Sequence, residues 1–477
     1  MAVLVFVAST GAGAQDRSAA RLEAQRLYAR GAEHESRREL ADAARAYEAA
    51  VAHAPEFALA HDRLGFVYGL QGRTAEAIAH FERARAADPK LFDAHYHLGA
   101  TLWWIRQEAR AREVLREAVQ LRPDHAEARY YLGLALKSGG ELLAAIDELE
   151  TSVRLDANIP ASALQLGIAL KDAGDAEGAI VHLRRAVSLD PSSAEAHNAL
   201  GLALLQHGEG EAATETFRAL TKAHPDFHAG QLNLGTTLMQ RGDLEAAASV
   251  LRALIARDPS NAAAHYNLGV TLKQRDDFAG AETALRKAIE LNAMLPDAPF
   301  TLGVVLWQTG RPAEAVQSFR RAIEIRPDYD EAHYMLGTVL RQLGDQEAAL
   351  ASFRDAIRLR PTSAESHLSL GQLLQQRGER VAAAAAFEEA RRLNQKKADV
   401  QASTFAVGVG RARRKEGDLE GAIAEFKRAV ALAADNFEAH YELAKAYTAL
   451  NRLQDARVHL AEARKLAPHL RFKEPGS

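Results

Sequence analysis

The side chains best equipped for chemistry in this 477-residue chain are its eighteen histidines. A histidine can serve as general base, nucleophile or metal ligand, but each role needs partners at a defined spacing. The chain has no His-Glu-x2-His pair, no Gly-x-Ser-x-Gly elbow, no Gly-x4-Gly-Lys-Ser/Thr phosphate loop and no Gly-x-Gly-x2-Gly fingerprint. Seven histidines instead fall in register. His61, His95, His197, His265, His333 and His367 are spaced by multiples of 34 residues, and His440 follows with a small offset. Periodic placement reads as a structural slot, a flat half-buried ring at one point of a repeated element. His95 and His97 are two residues apart, so on a helix they point to different faces and do not make a metal site. The chain contains no cysteine. Disulfides, thiol catalysis, thiolate metal sites and lipid attachment at a lipoprotein cysteine are therefore excluded. The expectation is a protein without catalytic residues, cofactor or metal.

Three further rows have the same period. Glutamine recurs at Gln206, Gln240, Gln274, Gln308, Gln342 and Gln376. An amide offers two donors and an acceptor, so a ladder of them can hold the backbone of an extended peptide without demanding its sequence. Aromatics recur at Tyr96, Tyr130, Tyr266, Phe300, Tyr334 and Tyr441, and could anchor a partner as hot-spot residues do. Lys137, Lys171, Lys273, Arg341 and Arg414 form a basic row, with Trp103 and Trp307 interleaved and Trp104 beside Trp103. Each row has a plainer explanation. Cations late in a helix complement its dipole, as Asp93, Glu127 and Glu331 would early in one. The aromatics could pack between helices, and the glutamines could be repeated on a solvated face.

The elements that carry these rows follow from the repeat. Leu-Gly pairs stand at Leu64-Gly65, Leu98-Gly99 and every 34 residues to Leu370-Gly371. Units beginning at 24, 58, 92, 126, 160, 194, 228, 262, 296, 330, 364, 403 and 437 align thirteen times. Position 8 is glycine in twelve and Ala444 in the last. Position 20 is alanine throughout, from Ala43 to Ala456. Position 24 is large and apolar, as at Phe81, Phe217 and Phe353, and position 32 is proline in nine units, including Pro55 and Pro361. This pattern resembles the tetratricopeptide repeat. The resemblance implies an all-α fold, antiparallel helix pairs stacked into a right-handed superhelical solenoid. Small residues at positions 8 and 20 should face each other where the two helices cross, and residue 24 should fill the gap to the next unit. Glycine at position 15, as at Gly72 and Gly344, suits the left-handed residue that ends the first helix, helix A. Proline at 32 stops the second, helix B. Helix A would line an inner groove, exposing positions 2, 5, 9, 12 and 13, which include the three rows.

The resemblance does not extend to special subsites of the family. The asparagine ladder of protein O-linked N-acetylglucosamine transferases uses position 6, where this chain has only Asn233 and Asn267. The chaperone-binding carboxylate clamp needs lysine at position 5, which no unit has.

Hydrophobic residues make up 48% and charged residues 26%, and the net charge is -4, so no global field favours nucleic acid or an anionic membrane. The cluster Lys396, Lys397, Arg411, Arg413, Arg414 and Lys415 is local. Residues 1–14, with the apolar run Met1 to Ser9 and the Ala12-x-Ala14 pattern before Gln15, resemble a secretory leader without its basic start. Its use would place the protein in the periplasm or outside the cell, and otherwise the chain is cytoplasmic. No other stretch is long and apolar enough to span a membrane. Residues 15–23 read as an extension, 24–397 as eleven units, 398–402 as an insertion that breaks the register through a longer or kinked helix, 403–470 as two units, and 471–477 as a frayed tail. The functional expectation is a protein–protein interaction scaffold that holds a peptide or partner protein in its groove, or alternatively an accessory array for a separate enzyme such as a glycosyltransferase.

Overall fold

In the computed structural model, residues 5–468, 470 and 472 are described, with side chains from residue 18 onward. Residues 1–4 and the side chains of the rest of the expected leader lie outside this range. Among the described residues the chain forms twenty-five helices and no strand. None of these helices is long and apolar enough to cross a membrane. Two compact units are formed, Met1–Ala199 and Leu200–Ser477.

The repeat is built from short rules. In the unit beginning at 58, helix A is Ala58–Leu70 and helix B is Thr74–Ala87, of 13 and 14 residues. The three residues between them cannot do more than reverse the chain. Gly72 takes φ +77, and the Arg73 amide then donates to the Tyr68 carbonyl at 2.9 Å, closing helix A. Every positive-φ residue described is at position 15 of its unit. Nine are glycines, and the others are Arg38, Arg106, Asp276 and Asn451.

Packing corrects one expectation. A Cβ at Gly65 would lie 2.8 Å from the Phe81 ring, and one at Gly201 would lie 2.5 Å from Phe217. The glycine at position 8 thus makes room for residue 24 of its own hairpin. The position-20 alanine contributes its carbonyl, 3.0 Å from the Gly65 site in the case of Ala77. Residue 24 is the centre of each hairpin rather than a filler between hairpins, and Phe217, Phe319, Phe353 and Phe426 are fully buried there.

In the first unit one apolar cluster runs from Ala43 and Tyr47 through Phe81 and Leu115 to Ala145. In the second, a cluster runs from Ala248 to Ala383 and a separate one surrounds Phe426 and Leu443. The break between the latter two coincides with a 36-residue helix, Arg380–Lys415. The stretch read as an insertion contains no glycine or proline, so helix B of one hairpin continues into helix A of the next. The helix is about 54 Å long. Its first half buries Ala383, Ala386 and Ala390, and its second half buries Ser403, Ala406, Val407 and Gly410 on a different face. Phe387, at position 24, is only half-buried, because the helix that would cover it runs onward instead of folding back. Phe405 stands 72% exposed at a position that is small and buried in the stacked units, as Ala60 and Ala332 show.

The C-terminal reading also needs correction. The last helix, Leu453–Leu466, ends before Leu470. Within the stretch taken as a frayed tail, Phe472 is buried, 5.0 Å from the Tyr441 ring and 6.3 Å from Phe437. The reason is a pairing that recurs along the chain. A ring just after helix B covers the position-5 ring of the same unit, as in Tyr28 with Phe57, Tyr96 with His125, and Phe300 with Tyr329. Phe472 does this for the final hairpin.

Candidate functional site

The periodic histidines belong to the scaffold. The Nε2–H groups of His61, His95, His265, His333 and His367 donate to the carbonyls of Pro55, Pro89, Pro259, Pro327 and Pro361, at 2.9–3.2 Å. Each ring thus ties its helix A to the end of the preceding hairpin. His97 turns away from His95 and places Nδ1 2.8 Å from the buried Asp62 carboxylate. Among the described residues one group of three potential metal ligands comes together, His34, Glu39 and Asp42, within 4.8 Å of one another. The His34 ring already bonds Glu39 at 2.6 Å, and Asp42 is paired with Arg45.

The predicted groove residues divide between the two units. Tyr96, Tyr130, Trp103, Trp104, Lys137 and Lys171 lie in the first unit, whereas the glutamine row, Tyr266, Tyr334, Lys273, Trp307 and Arg341 lie in the second. In the first unit Lys171 bonds Asp172 at 2.6 Å, and Lys137 lies 3.4 Å from the same carboxylate, so both cations share one counter-charge. Tyr96 and Tyr130 are half-buried against Tyr131, and burial pushes the Tyr130 hydroxyl up to about 12. Tyr334 packs 6.0 Å from Phe353, the core ring of its own hairpin. Half-buried Tyr266 has its hydroxyl raised by burial. The position-5 aromatics are therefore largely packing residues. Trp104 is exposed, and Trp103 is half-buried.

In the second unit the rows do converge. Trp307, Thr338, Arg341, Gln342, Gln372, Gln375 and Gln376, from three consecutive A helices, line an open hollow of about 560 Å³. The Trp307 indole N–H donates to the Gln342 side-chain oxygen at 2.6 Å, and the Arg341 guanidinium donates to Gln372 at 2.8 Å. These bonds fix the acceptor ends of two amides that belong to exposed residues. No carboxylate lines the hollow. Gln206, Gln240, Gln274, Gln308, Gln342 and Gln376 are all exposed, and Lys273 is half-buried. Thr338, Gln372 and Gln375 stand at the expected groove positions 9 and 12 but were not singled out, because their residue types do not recur there from one repeat to the next.

The local basic cluster disperses. Lys397 faces Glu365 at 3.9 Å, and Arg413 faces Asp418 at 3.5 Å. Only Arg411 and Arg414 converge, with Lys445, on Glu442, which is 2% exposed. Burial raises the Glu442 carboxyl, but Lys445 and Arg411 outweigh it and hold the group below the ordinary carboxylate range. The signal available in the sequence was that Glu442 is the sole acid at position 6 of the thirteen units.

Tandem two-helix hairpins that repeat side-chain rows along one helix define an α-solenoid of the scaffold class, which carries protein–protein interaction. Tetratricopeptide repeat profiles match residues 106–160, 232–299, 271–330, 300–364, 334–398 and 368–434, and related repeat profiles match 58–91, 167–208 and 410–466. The chain belongs to the tetratricopeptide repeat family. No curated protein matches it. Similar solved structures include the crystal structure of MamA, at 25% identity over 35% of this chain and 96% of that one, with a TM-score of 0.33. Pseudomonas aeruginosa PilF is 24% identical over 43% and 94%, with a TM-score of 0.39. The APC/C hetero-tetramer Cut9–Hcn1 is 14% identical over 93% and 94%, with a TM-score of 0.35.

Proposed function

We propose that the chain is a non-catalytic scaffold and that the hollow around Trp307 and Gln342 receives an extended peptide segment of a partner protein. The observation that carries this reading is the pair of bonds that orient Gln342 and Gln372 from Trp307 and Arg341. Amides held in one orientation lose less freedom on binding than free ones do. Beside them the Trp307 ring supplies flat apolar area, the usual hot-spot element.

Panning a displayed peptide library on the intact protein tests the proposal. Selected peptides are expected to bind about tenfold more weakly to Trp307→Ala with Gln342→Ala, with helicity unchanged. Equal binding to both proteins would remove the site. Export through residues 1–14 is likewise proposed, and N-terminal sequencing of the mature protein should then find Gln15 first.

A further inference from the structure

The last two hairpins hold a second arrangement, unlike the amide-lined hollow. Glu442 is buried on helix A of the final unit, Phe437–Ala449. Its Oε1 accepts from Arg411 Nε and is paired with Lys445 Nζ, both at 2.8 Å. Its Oε2 faces Arg414 Nε at 3.5 Å without a hydrogen bond, and both atoms are buried and unpartnered. Among the described residues the other acid paired with these cations is Glu438, 3.3 Å from Arg411. Two carboxylates therefore serve three cations, whose side chains remain 33–44% exposed. Three like charges at one point repel, and they stay together only because a buried anion sits beneath them. Among the described residues no protein acceptor reaches the terminal nitrogens of Arg414. Tyr441 adds a ring under Lys445, 4.8 Å from its Nζ.

We propose that this face is a docking site for a carboxylate-rich peptide segment, held chiefly by Arg414 with Arg411 and Lys445 flanking. Guanidinium and carboxylate match as paired donors and acceptors, and Glu442 pre-arranges the donors before the ligand arrives. The family's carboxylate clamp is not reproduced here, since position 5 of these two units is Val407 and Tyr441 rather than lysine. A nucleic-acid backbone fits less well. It needs a track of cations, whereas Lys397 and Arg413 are engaged by acids elsewhere.

Fluorescence anisotropy of the full chain with a labelled glutamate-rich peptide, against the same peptide with glutamine for glutamate, tests the site. The acidic peptide should bind at least about tenfold more tightly and weaken with added salt. Arg414→Gln with Lys445→Gln should abolish that difference, while Arg414→Lys, which keeps the charge but not the paired donors, should retain part of it. The single exchange Arg414→Gln leaves Arg411 and Lys445 on Glu442, so it reads the same loss if the double variant melts early. Gln274, Gln308 and Gln342 changed to Ala should leave acidic-peptide binding untouched, which separates this site from the hollow at Trp307. Equal binding of the two peptides, indifference to Arg414→Gln, or tighter binding of an oligothymidylate of equal charge through the same residues would each overturn the proposal.

Discussion

At the scale of single residues, two slots carry most of the fold's demands. The first is the glycine at position 8. Gly201 lies against the fully buried Phe217 ring, so a methyl group there must displace an aromatic core. Gly201→Ala is expected to cost about 1–3 kcal/mol, read as a lower midpoint in chemical denaturation. The second is a histidine pair found twice. His61 and His80 meet through their Nδ1 atoms at 2.9 Å, and His440 and His459 do so at 3.0 Å. Because His61 donates Nε2–H to Pro55, its Nδ1 accepts and His80 must donate. Burial, then the neighbouring His61, pulls the His80 imidazole down to about 4; Arg83 and Arg73 add to the pull, and Glu76 opposes it. Burial lowers His61 and His459 too. An unfolded histidine takes its proton near pH 6.5, so between there and about 4 the unfolded state holds more protons. The stabilisation is complete above that range and falls away as the solution is acidified through it. Thermal melts at about pH 7.5 and about pH 5 should show the acid loss, and His80→Gln with His459→Gln should flatten it.

At the scale of elements, the long helix Arg380–Lys415 is the departure from the repeat. Residues 396–402 are helical because nothing among them stops a helix, and the five extra residues rotate the next hairpin onto another face. Ala398 is exposed at the middle of this run, so replacing it touches no core. Ala398→Pro should cost about 3 kcal/mol or more through the lost backbone bond and the ring clash. Circular dichroism during a melt should then show the last two hairpins unfolding earlier than in the parent. The helix was legible as a disturbance in the sequence, since the Leu-Gly spacing fails there. That the chain would run on as one longer helix was one of two readings, because a kink has the same spacing. The half-open ring of Phe387 and the exposed Phe405 follow from the continuous run and have no signature in composition.

At the scale of the whole molecule, stability is a sum over hairpins and their neighbours, since each hairpin encloses its own core ring and packs on the hairpins next to it. Phe319 is fully buried within its own hairpin and belongs to the continuous cluster of the second unit. Phe319→Ala should cost about 3–5 kcal/mol locally. Hydrogen exchange is expected to quicken in the helices Asp297–Gln308, Pro312–Ile325 and Asp330–Gln342, and to be unchanged in Thr74–Ala87 and Phe92–Trp104. A chain-wide loss of protection would show a single cooperative body instead.

What the residues determined on their own is the hairpin and its repetition. Gly65, Ala77 and Phe81 are contacts within a few turns of one another, and such contacts are set by residue type and spacing. Positions 8 and 20 do face each other as expected, but the place of residue 24, against the position-8 glycine of its own hairpin, was not legible from spacing alone. The tertiary structure decided what the surface rows do. Arg411 meets Glu442 and Trp307 meets Gln342 across adjacent A helices, 31 and 35 residues apart in the chain. Whether two such side chains meet depends on how neighbouring helices cross and how far each long side chain reaches, and neither is written in the period of a single helix.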